Sequence, residues 1–90
     1  MTELRLMQIR EALERTFRKM EEEMRGSENF EQDFNKMVVL MNKVTELCEG
    51  NRELALKLAE FTLKKIRIED QGEFNYMLDE INRRSKDNVV

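Results

Sequence analysis

Apolar residues in the first quarter of the chain fall at Leu6, Ile9, Leu13, Phe17, Met20 and Met24. Steps of three and four place them on one helical stripe, roughly 80° wide, with charged residues around the rest of the circumference. The same rhythm returns three times and predicts helices over residues 3–25, 29–49, 52–67 and 71–84. Gly26, Gly50 and Gly72 stand at the interruptions. Thr2 is placed to cap the first helix, Gly26 to end it in a left-handed conformation, and Ser27 or Asn29 to accept from the bare amides of the second. Gly50 and Asn51 repeat the device. Asp70 and Glu73 fit a capping box for the fourth helix, weakened slightly by Gly72 in its first turn. In residues 65–69, Ile66 and Ile68 alternate with charged neighbours, so a short extended segment competes with the preferred reading, a helix end running into a loop. Periodicity stops after Arg84, which leaves residues 85–90 as a frayed tail on a single domain spanning 1–84.

The four faces differ in width. In the second helix Phe30, Phe34, Met37, Val38, Met41, Val44 and Cys48 form a broad inner face. Leu40 and Leu47 make a second stripe at its flank, and Val39 stands alone on the polar side. The third helix is more demanding: Leu54, Leu58 and Phe61 lie on one side, Ala55, Ala59, Leu63, Ile66 and Leu56 continue round, and polar residues fill a sector of only about 100°. Such a helix should be nearly surrounded. The fourth turns Phe74, Met77, Leu78 and Ile81 inward and Tyr76 outward, beside Asp79, Glu80 and Arg83.

The expected fold is therefore all-α, a small bundle of about four helices. A bundle of 90 residues leaves one side of each helix in water, so the broad second and third faces exceed what a monomer readily covers. One reading absorbs the surplus by non-parallel packing around a central third helix. The preferred reading makes it a contact surface, completed by dimerisation or by another protein. On that reading the partner-binding residues are Val39, Leu40, Leu47, Leu56, Leu63 and Tyr76, the last as an aromatic anchor beside arginine. Leu4 and Met7 fall off the stripe of the first helix and suit core filling or contact equally.

Composition narrows the chemistry. The chain has no His, Pro or Trp and a single Cys. Without His, Ser/His and Cys/His catalysis and the commonest zinc ligand are missing, and there is no glycine-rich phosphate loop. Cys48 sits in the last turn of a helix beside Glu46 and Glu49, where both the helix dipole and the carboxylates disfavour a thiolate. Glu21, Glu22 and Glu23 point in three directions and cannot converge on a cation. The expectation is a protein that is not an enzyme, with no metal, no cofactor and no small-molecule substrate.

Sixteen Lys and Arg oppose nineteen Asp and Glu, a net charge of -3, so no global basic field draws the chain to nucleic acid or to a membrane. The longest apolar run, residues 37–41, is far too short to span a bilayer, and no signal segment is expected. With one cysteine and no sign of an oxidising compartment, the default location is cytoplasmic. Two basic clusters remain, Lys64, Lys65 and Arg67 after the third helix and Arg83, Arg84 and Lys86 after the fourth. Helix-dipole compensation accounts for both. Brought together, with Tyr76 to stack on a base, they would instead grip phosphates. The leading functional expectation is thus a helical protein–protein interaction module, an adaptor, regulator or inhibitor; the alternative is a small nucleic-acid-associated regulator.

Overall fold

A computed structural model describes residues 2–69 and 71–87, with side chains through residue 84. It contains four helices, α1 (Glu3–Met24), α2 (Phe30–Leu47), α3 (Arg52–Lys65) and α4 (Gln71–Asp87), and no strand among the described residues. The expected cap Asp70 lies outside the described residues, as do residues 88–90 of the expected tail. Helix α4 runs to Asp87, so helical backbone continues into the segment expected to fray.

Each junction has a local chemical cause. Thr2 accepts from the Arg5 amide at 3.2 Å and caps α1. After Met24 the chain makes a type II turn: Arg25 takes φ -60, ψ 120, Gly26 takes φ 77, and the Ser27 amide donates to the Met24 carbonyl at 2.9 Å. The third position of that turn requires positive φ, which glycine adopts without a Cβ clash. Ser27 and Asn29, alternatives in the sequence, act together. Asn29 accepts from the Gln32 amide at 3.1 Å, while the Ser27 hydroxyl accepts from the Asn29 amide at 3.3 Å and donates to the buried Asp33 carboxylate at 3.2 Å.

The end of α2 departs from expectation. Glu49, not Gly50, is the first left-handed residue, at φ 59, and Gly50 follows at φ 85. The Glu49 amide donates to the Glu46 carbonyl at 3.0 Å and the Gly50 amide to the Thr45 carbonyl at 2.8 Å, which is the paired bonding of a Schellman motif. Asn51 then caps α3, accepting from the Leu54 amide at 3.0 Å.

Helix α3 stops at Lys65, earlier than residue 67, and Ile66 is extended at φ -95, ψ 152. Ile66 and Ile68 are both buried while Arg67 is exposed. The helix end thus runs into a loop, the preferred reading, and no strand forms among the described residues; within it Ile66 is extended, and both isoleucines reach the core although a helix would turn them about 200° apart. Polar ties hold the loop on α1: the Glu69 amide donates to Glu21 Oε2 at 2.7 Å, and Arg25 pairs with Glu21 at 4.0 Å and Glu69 at 3.8 Å.

Helix α3 is the central element, packed against all three others. Ala55, Ala59 and Leu63 are fully buried in it, and the small alanines let neighbouring helices approach closely. Phe17 of α1 meets Phe74 of α4 edge to face, with ring centroids 5.8 Å apart. The radius of gyration is 12.8 Å, against about 12 Å for a compact chain of this length. The shortest axis measures 18 Å, close to two helix diameters. Helix α2 also meets the other three; most of the apolar face of α3 is covered, while large apolar residues stay exposed on α1, α2, α4 and, at Phe61, on α3 itself.

Candidate protein-interaction surface

The central position of α3 corrects the surface expected from the sequence. Leu56 is 6% exposed and Leu63 0%, so both belong to the core and neither is available to a partner. The surplus apolar arc of the third helix is absorbed within the monomer because three helices surround it. Its exception is Phe61, 43% exposed, with Arg10 Cζ 5.4 Å and Lys65 Nζ 4.9 Å from its ring centroid.

What stays open is the seam between α1 and α2. On α2, Gln32, Asn35, Lys36, Val39 and Lys43 share one face by spacing, with Leu40 at its shoulder; on α1, Thr16, Lys19, Met20 and Glu23 do the same. These ten residues line an open groove of about 600 Å³. Met20 is buried and Leu40 half-buried in its floor, and Val39 stands out at 59% exposure. Lys36 Nζ lies 3.9 Å from Glu23 Oε2 across the seam. Among the described residues Lys19 and Lys43 make no ion pair. Apolar surface beneath a predominantly cationic rim is the distinctive feature of the groove.

The remaining sequence-selected residues scatter. Leu47 is exposed one turn beyond Lys43, outside the groove lining. Tyr76 is 58% exposed on α4 and belongs to a separate cluster, 5.8 Å from exposed Phe30, which in turn stacks on Phe34. Arg84 covers the Phe34 ring at 4.7 Å. A third apolar surface surrounds Phe61, where Met7, Leu6 and Leu58 line a hollow of about 500 Å³. Leu4 and Met7 are both exposed on that side of α1.

The two basic clusters do not converge. Arg67 precedes α4 and Arg83 and Arg84 lie near its other end, separated by a helical rise of roughly 20 Å. Lys65 is engaged over Phe61, and the side chain of Lys86 lies outside the described residues. Arg83 reaches both Glu80 carboxylate oxygens, at 2.7 and 2.6 Å, and Arg84 Nε donates to Oε1 at 3.1 Å. Those hydrogen bonds, from Arg83 and then Arg84, hold the Glu80 carboxyl below its ordinary range. Among the described residues the single phosphate grip that the alternative reading needs is therefore not assembled.

Cys48 is buried. Desolvation is the main force raising its pKa; Arg5 opposes it and Glu49 adds to it. Burial thus outranks the neighbouring carboxylates named from the sequence. Among the described residues no three His, Cys, Asp or Glu side chains gather as metal ligands, and no helix is long and apolar enough to cross a membrane. No protein-family model, curated protein or solved structure matches the chain.

Sequence reasoning missed the lysine rim and the surface position of Phe61. The rim had a signal: Lys36, Val39 and Lys43 recur at i, i+3 and i+7 on the otherwise polar side of α2. Phe61 had none, since its sector of α3 is as apolar as the buried one, and only the path of α1 decides which part is covered.

Proposed function

We propose that this chain is a non-enzymatic helical protein–protein interaction module, an adaptor, regulator or inhibitor that docks a partner protein along the groove between α1 and α2. The observation that carries this reading is Val39, 59% exposed on α2 beside the apolar Met20 and Leu40. A β-branched side chain placed there does nothing for the monomer core, whereas it would fill a hydrophobic contact on a partner. A larger protein is preferred over a second copy as that partner. Two copies meeting groove to groove would bring concave surfaces and lysines face to face, which leaves voids and like charges unopposed.

Affinity capture with the wild-type chain and with Val39→Asp and Lys64→Glu tests the reading. Partners retained by wild type and by Lys64→Glu but lost by Val39→Asp are the expected result. Equal retention by all three excludes the groove as the docking surface. Sedimentation equilibrium over micromolar concentrations is expected to give a monomer.

A further inference from the structure

Resting on the reading of the α1/α2 seam as a docking surface, we infer that its partner presents an acidic amphipathic helix of about three turns. Length comes from the walls. The lining of α2 runs from Gln32 to Lys43, a rise of roughly 16 Å, which matches three helical turns. Shape comes from the construction of the seam: two adjacent helices with an apolar floor offer the trough into which a further helix packs, anchored by residues at i, i+3 or i+4 and i+7.

Charge decides the flanks. Three lysines and one glutamate line the groove, and the glutamate is engaged by Lys36 at 3.9 Å. That leaves Lys19 on one wall and Lys43 on the other to face the incoming helix. An apolar stripe with Asp or Glu along both edges would meet a cation on each side, whereas basic flanks would meet repulsion. The net charge of the whole chain is -3, opposite in sign to the groove. Screening over about 8 Å at physiological salt lets the nearby lysines dominate at contact.

The other exposed apolar surfaces of the chain carry arginine or lysine beside their acids. The exposed surface around Met7 and Phe61 carries Arg10, Lys57 and Lys65 against Glu3, Glu11 and Glu14, and the surface at Phe30 and Tyr76 adjoins Arg84 across Phe34. The first is balanced in charge, and at the second the Glu80 carboxylate is already held by Arg83 and Arg84.

The test is selection from an unbiased display library of 18-residue peptides on the full chain, followed by anisotropy titration of the synthetic winners. Expected winners have the helical apolar spacing with acidic flanks. Their affinity should fall at least tenfold in Lys19→Glu/Lys43→Glu, fall with added salt, and stay unchanged in Lys64→Glu. Winners with neutral or basic flanks, or acidic winners indifferent to the double charge reversal, overturn the inference. If such winners still lose binding to Val39→Asp, the docking reading stands and only the partner class fails. Winners indifferent to Val39→Asp, or no enrichment at all, overturn both. A dimer in sedimentation that dissociates in Val39→Asp makes the occupant a second copy and also overturns the inference. Circular dichroism checks that each variant is folded; should Val39→Asp unfold, Val39→Ser takes its place.

Discussion

Cys48 shows two influences on one thiol: its place on the inner face of α2 predicts burial, and burial outweighs the neighbouring Glu49 in raising its pKa. Its position at a helix end among glutamates suggests an inert thiol, yet the dominant contribution to its raised pKa is burial, a property of the packed chain. The raised pKa has a definite consequence for stability. Below the unfolded thiol pKa of about 8.5 both states keep the proton and the full contribution is present. As pH rises past that value the unfolded chain ionises while the folded one does not, so stability falls until the folded thiol also titrates. Urea unfolding at pH 7.5, 8.5 and 9.5 should show wild type losing stability relative to Cys48→Ala across that window. In the native state at pH 7.5, Cys48 should also resist aromatic disulfide reagents and react freely once unfolded. Glu80 illustrates the opposite direction. Its two arginines favour the charged form, and that contribution is present above the ordinary carboxylate pKa and lost as pH falls through the depressed one.

Helix ends are where local chemistry speaks most clearly, and most of the expected boundaries lie within two residues of those observed. Caps at Thr2, Asn29 and Asn51 follow from single side chains satisfying single amides. The Schellman turn after α2 is less local, because two left-handed residues follow one another and the first is a glutamate. A non-glycine residue in that conformation is disfavoured by about 1–2 kcal/mol, offset in part by the extra freedom glycine gains when unfolded. Glu49→Gly should therefore stabilise the protein by about 0.5–1 kcal/mol and raise the melting temperature by several degrees, readable by calorimetry. At Ile66 and Ile68 the helix gives way to a loop, the reading preferred from the sequence, and both side chains are buried in it. Glu21 ties that loop to α1 through the Glu69 amide, and Arg25 bridges Glu21 and Glu69.

For the whole molecule the decisive fact is that α3 lies at the centre. Leu63→Ala should consequently cost about 2–5 kcal/mol, as buried leucines do, while Val39→Ser should stay within about 0.5 kcal/mol of wild type. Denaturant midpoints separate the two; a small loss at Leu63 would place it at a surface after all. Number, type and approximate limits of the helices were legible in the chain because periodicity, capping and turn chemistry act over a few residues. The width of each apolar face was legible too, as was the outward position of Tyr76, which follows from angle alone. Which broad face is covered was not, since Leu56, Leu63, Val39 and Leu40 are all apolar and only the paths of neighbouring helices distinguish them. Tertiary packing buried the first two, left the second two along a seam, and set Lys19 of another helix on the same groove as Lys43. A docking groove is a relation between two helices, and helical spacing describes each helix singly.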